Sequence, residues 1–163
     1  MILGMSLATF TLVHVLISIV GIASGLIVVE RFVRNRALGL SNTIFLVSTI
    51  ATSVTGFLFP SAAFTPAHAI GVISLLILAA ALFALHVGNL IGPWRWIYGV
   101  TALVALYLNV FVAVVQAFQK VGRLRMLAPT QSEPPFAFVQ GAVLIFFLLV
   151  GIVVILRFRP PTA

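Results

Sequence analysis

From Ala37 to Trp94 the chain carries not one Asp, Glu, Lys or Arg, and the same holds from Met1 to Val29 and from Trp96 to Gln119. Uncharged stretches of that length cannot be folded away in water, because too few polar residues remain to cover the outside. Charged residues make up 7% of the 163, where soluble domains hold about 25%, and the mean hydropathy is +1.30. A lipid bilayer is the solvent that fits such a chain. The same scarcity of charge narrows the chemistry. With no Asp, and only Glu30 and Glu133 as carboxylates, the chain offers neither a carboxylate dyad, nor an Asp-held magnesium site, nor a Ser-His-Asp triad. With no Cys it offers no disulfide, thiolate nucleophile or thiolate-bound cluster.

A membrane-crossing helix needs about 20 mainly apolar residues. Five segments supply them, at about 9–30, 40–59, 67–91, 95–119 and 136–156. The expected fold is therefore all-α: a single polytopic bundle of five transmembrane helices, without an internal repeat. Met1–Thr9 lacks a positive region and the apolar run after it is long, so the first segment reads as a span and not as a signal peptide. Breakers separate the spans: the Arg31–Gly39 connection, Pro60–Pro66, the Gly92-Pro93-Trp94-Arg95-Trp96 turn, and a longer Gly122–Pro135 connection with three prolines. The tail Arg157–Ala163 is expected to be disordered.

A net charge of +7 does not indicate nucleic acid here, because the basic residues stand where apolar segments end instead of lining one face. At such ends Arg reaches the lipid headgroups and sets orientation. One side of the membrane would receive Arg31, Arg34, Arg36, Arg95, Arg157 and Arg159, and the other Lys120, Arg123 and Arg125. The imbalance predicts a cytoplasmic Arg31–Gly39 connection, an external N-terminus and a cytoplasmic C-terminus.

Ionisable and amide side chains inside the spans are the candidate functional residues. His68 and His86 lie 18 residues apart, five helical turns or about 27 Å on one face of the third span. His14 lies about 24 Å from Glu30 along the first span, which sets it at nearly the depth of His68, in the outer half. His86 is left alone at the inner end, expected to bond to a group such as Tyr98 or Glu30. His14, Ser18, Gly21 and Gly25 form one stripe, which reads either as a helix-packing seam or as a slot where small residues admit a flat macrocycle beside a histidine. The hydroxyls of the second span (Ser48, Thr49, Thr52, Ser53 and Thr55) need no ligand, since such side chains bond back to their own helix. Asn109 and Gln116 share a face of the fourth span in its outer half, and Gln140 starts the fifth at the same level. Each suits an interhelical hydrogen bond, and together they gather polarity on the outer side as possible ligand or proton contacts. Glu133, between Ser132 and two prolines, either belongs to the start of the last helix, with Ser132 as its cap and the prolines in its first turn, or is an outer carboxylate free to take a proton or pair with Lys120 or Arg123.

The segment Tyr107–Gln119 followed by Ala128-Pro-Thr-Gln-Ser-Glu-Pro-Pro-Phe136 resembles a family of small bacterial inner-membrane proteins of uncharacterised function. The likeness covers the C-terminal third and implies a location, not an activity. More loosely, histidines near helix ends in a bundle of four or five helices resemble the membrane b-type cytochromes. Two haems would need four axial histidines and this chain has three, so the resemblance implies one haem b at most, held by His14 and His68 as iron ligands near the outer surface. Asn109, Gln116 or Glu133 would then meet a propionate or a quinone. Two other expectations stand beside this electron-transfer reading. One is a non-catalytic subunit that assembles or stabilises a larger membrane complex. The other is a small proton-linked transporter, weakened by the lack of a mid-membrane acid.

Overall fold

The computed structural model describes residues 1–159, and all of its named elements are helices. They are α1 (Leu7–Val33), α2 (Gly39–Gly56), α3 (Pro66–His86), α4 (Pro93–Lys120), the short α5 (Gly122–Leu127) and α6 (Pro134–Arg157). Their starts follow from residue chemistry. Ser6 Oγ accepts the Thr9 N–H at the head of α1. Proline stands in the first turn of α3, α4 and α6, where its fixed φ suits the helix and its missing N–H costs nothing. Gly92, at φ +57°, turns the chain into α4.

Four helices, α1, α3, α4 and α6, are long and apolar enough to cross a membrane. That is one fewer than expected, and α2 makes the difference. Its 18 residues include Ser41, Asn42, Thr43, Ser48, Thr49, Thr52, Ser53 and Thr55, which dilute its hydropathy. It is nonetheless packed in the bundle antiparallel to α1, from the contact of Phe45 with Gly25 to that of Thr55 with His14. Two further boundaries move. α3 stops at His86 instead of running to 91, because Gly88 lets the backbone lie against Trp94 and Asn89 and Leu90 take positive φ. The connection expected over 122–135 contains the turn and a half of α5. The tail differs as well: Phe158 is buried against Phe32, and the Arg159 N–H donates to Asn35 Oδ1 at 2.6 Å. The remainder of the tail, residues 160–163, lies outside the described residues.

The helices alternate in direction, so the bundle has two distinct ends. At one, which we call the arginine end, stand Arg31, Arg34, Arg36, Arg95, Arg157 and Arg159. Lys120, Arg123 and Arg125 stand at the other. The arginine end is closed by aromatic packing: Phe32 meets Tyr98 edge-on at 5.9 Å and Phe158 at 4.5 Å. The Tyr98 hydroxyl donates to Asn42 Oδ1 between α4 and α2. Gly99 allows Val154 of α6 to approach, and Gly25 allows Leu106 and Phe45 to close on α1. His86 plays no part in this network. It is exposed at the end of α3, while Tyr98 is engaged by Asn42, and Glu30 by Arg34 and Arg36 at 2.8 and 3.5 Å.

Candidate functional site

At the opposite end α1, α2, α3 and α4 stand apart and enclose a cavity of about 540 Å³. Its walls are mostly apolar, with polar groups at two depths, which is the usual composition of a small-molecule site. We call this the cavity end. His14, His68, Asn109 and Gln116 all line it, with Lys120 at its rim, so the structure brings four of the six sequence candidates together.

The other two lie elsewhere. Gln140 packs on the far side of α4, where its amide donates to the Phe111 carbonyl at 3.2 Å and its own Oε1 is buried without a partner. Glu133 serves its own connection. Its carboxylate accepts the Thr130 N–H at 3.1 Å, the Thr130 hydroxyl at 2.9 Å and the Ser132 N–H at 3.1 Å. Partial desolvation works to raise its pKa, but these donors outweigh that and hold it below the ordinary carboxylate value. Among the described residues it forms no ion pair with Lys120 or Arg123, and it is Glu133, not Ser132, that occupies the N-cap position of α6.

The two histidines meet the cavity with opposite hydrogen-bonding character. The Thr55 hydroxyl spends its proton on the Ala51 carbonyl at 2.7 Å, so it accepts from His14 Nδ1, 2.8 Å away. His14 is therefore protonated at Nδ1 and presents a lone pair at Nε2. His68 is fixed the other way. It forms a capping box with Thr65: the Thr65 hydroxyl accepts the His68 N–H at 3.3 Å, and His68 Nδ1 accepts the Thr65 N–H at 3.1 Å. An accepting Nδ1 leaves the proton of the neutral ring on Nε2. Aromatic rings hold both in place, Phe59 edge-on to His14 at 5.1 Å and Phe57 stacked on His68 at 5.5 Å.

This arrangement bears directly on haem. Iron ligation by a histidine Nε2 takes its lone pair, and a bis-histidine site takes two. His14 has that lone pair to give. His68 lacks it for as long as its Nδ1 caps α3. The residues therefore fit one axial ligand, not a pair.

Deeper in the cavity, Ser18 Oγ donates to Asn109 Oδ1 at 2.8 Å, which turns the Asn109 amide nitrogen away from α1's hydroxyl. That nitrogen has no hydrogen-bond partner among the described residues, and neither has Thr49 Oγ1. Asn109 is 8% exposed and Thr49 1%. The neighbouring hydroxyls behave differently: Thr52, Ser53 and Thr55 all donate to carbonyls one turn back. Thr49 makes no such bond although it is buried. Gly21 separates the two unpartnered groups, for a Cβ there would stand 3.2 Å from Asn109 Nδ2 and 3.3 Å from Thr49 Oγ1. The stripe read from the sequence thus divides, with Gly25 a packing seam and Gly21 lying against the two unpartnered groups. Thr49, Thr65 and Lys120 were not singled out as site residues in the sequence. Only Thr65 carried a local signal, as a Thr before Pro66 with a polar residue three positions on. Comparison with protein-family models, with characterised proteins and with solved structures finds no match to this chain.

Proposed function

We propose that this chain is an integral inner-membrane protein that takes up a small amphipathic molecule from the bilayer into its cavity end. The observation that carries this reading is the pair of buried, unpartnered polar groups, Asn109 Nδ2 and Thr49 Oγ1, at the floor of a mostly apolar cavity. A buried polar group without a partner costs about 1–3 kcal/mol, and two beside each other mark a place where a ligand atom completes the set. In this reading all five long helices cross the membrane. The back-bonded hydroxyls of α2 lower the cost of its polar residues, and its 18 residues reach about 27 Å. The end with six arginines faces the cytoplasm, which puts the cavity in the outer leaflet.

The test is made on protein purified in a mild detergent, by native mass spectrometry and an optical spectrum. A bound small molecule is expected, lost when Ala113, on the cavity wall, is changed to Phe. A Soret band that disappears in both His14→Ala and His68→Ala would overturn this reading in favour of a haem-bearing electron-transfer protein.

A further inference from the structure

The cavity's donors stand at two levels. At the mouth is the Nε2–H of His68, with the Nε2 lone pair of His14 alongside. At the floor is the Asn109 amide, with the Thr49 hydroxyl beside it. The Asn109 amide nitrogen and the Thr49 hydroxyl lie at Gly21, seven residues from His14 on α1, so the two levels are separated by about 10 Å. Between them the wall is mostly apolar, and its hydroxyls Thr52 and Ser53 already donate to their own helix. A carboxylate or a single carbonyl reaches one level and leaves the other without an acceptor from the ligand.

We infer that the ligand is a quinone: a flat apolar ring with acceptor oxygens at opposite edges and an apolar tail. One carbonyl accepts from Asn109 Nδ2 and the Thr49 hydroxyl, which flank Gly21. The opposite carbonyl accepts from His68 Nε2–H. In the reduced form the oxygen at the mouth carries a proton and donates it in a hydrogen bond to His14 Nε2, so the two histidines together hold either oxidation state. Phe57 and Phe59 keep both rings in these orientations. The inference rests on the amphipathic-ligand reading above and adds its chemical class.

Two probes with the same decyl chain separate the two claims, a decyl-substituted benzoquinone and decyl phenyl ketone, which has one carbonyl. Binding is measured by equilibrium dialysis on the purified protein, and the shared chain cancels partition into detergent. The quinone is expected to bind tenfold or more tighter than the ketone, the ratio for about 1.4 kcal/mol. Asn109→Leu and Gly21→Ala, the second a single methyl added between the floor groups, should each abolish that preference, while Gln140→Leu outside the cavity leaves it unchanged. Equal binding of both probes, blocked by Ala113→Phe, would overturn the quinone assignment and leave the amphipathic-ligand reading standing. Failure of Ala113→Phe to reduce the binding of either probe would overturn both.

Discussion

The two ends of this bundle are built from the same helices and pack in opposite ways. At the arginine end large side chains fill the space: Phe32, Tyr98 and Phe158 are almost wholly buried, and the Tyr98 hydroxyl finds Asn42. Among the described residues, Arg95 Nε is the one buried side-chain donor there without a partner. At the cavity end the same α1, α2 and α4 bring small and hydroxylic residues together, and two buried polar groups go unanswered. Lipid supplies no hydrophobic drive between helices, so contact and hydrogen bonding decide how they associate. The arginine end has spent both on the fold. The cavity end has kept some of each in reserve, and that is why function is assigned there.

The sharpest test of the comparison is all-or-none. Single cysteines at Asn35, beside the arginines, and at Ser132, in the connection before α6, should react with an impermeant thiol reagent from the cytoplasmic and the external side respectively. Labelling of both from one side would mean that α2 does not cross with the other four helices.

The next effect is in packing. Phe32→Ala removes the ring that Tyr98 and Phe158 both touch. Core Phe→Ala changes cost about 3–5 kcal/mol, and the lower part of that range applies here because lipid readily accepts apolar surface. The loss should appear as a lower unfolding midpoint in detergent. His14→Ala at the cavity end should cost much less, since hydrogen bonds between membrane helices average about 0.6 kcal/mol.

One helical turn of α1 contains a finer version of the same contrast. A Cβ at Gly25 would stand 2.6 Å from Leu106 and 2.9 Å from the Phe45 ring, so Gly25→Ala should destabilise by about 1–3 kcal/mol through overpacking. At Gly21 the nearest groups are 3.2 and 3.3 Å away, and the Asn109 amide can shift by tenths of an ångström. Gly21→Ala should be neutral, or stabilising by up to about 1 kcal/mol through helix propensity. Equal destabilisation by both would mean that the cavity floor is as tightly packed as the seam.

How much of this could be read beforehand follows the same division. Four of the five spans, the charge distribution and the meeting of His14 and His68 at one cavity were legible because they depend on helix period and composition. The grouping of Asn109 and Gln116 with those histidines was legible for the same reason. Gln140 makes the interhelical hydrogen bond expected of it but lies away from the cavity, since depth along a helix says nothing about which neighbour a residue faces. Of the two readings of Glu133, the start of the last helix is the one that holds; what could not be read is that Thr130 and Ser132 occupy its carboxylate, because they are loop groups whose approach depends on the local turn. The opposite hydrogen-bonding states of His14 and His68 could not be read at all. They depend on where the Thr55 proton goes and on a capping box that exists only once α3 starts at Pro66.

Polar substitutions should also separate the ends. Asn42→Leu leaves the buried Tyr98 hydroxyl without its acceptor and should cost about 1–3 kcal/mol. Thr49→Val removes a buried hydroxyl that has no partner and keeps the side chain's shape, so without ligand it should be neutral or mildly stabilising. A clear loss of stability in Thr49→Val would show that its hydroxyl is already satisfied, for example by a buried water, and would remove half of the cavity floor.

The smallest effect concerns the connection that borders the cavity end. Glu133 is held below its ordinary pKa by the donors of its own loop, so its ionised form binds those donors better than a free carboxylate would. Its contribution is therefore complete above the ordinary value of 4.5 and is lost only as pH falls through the lower folded value. An acid protease reads this directly. At pH 4.5 the 128–133 connection should resist cleavage in the wild type and be cut readily in Glu133→Gln, whose neutral amide is the weaker acceptor. As pH drops further the two cleavage rates should converge, with the variant supplying the correction for the protease's own pH dependence. Equal rates at pH 4.5 would mean that the prolines alone fix the connection, and that the carboxylate adds nothing to it.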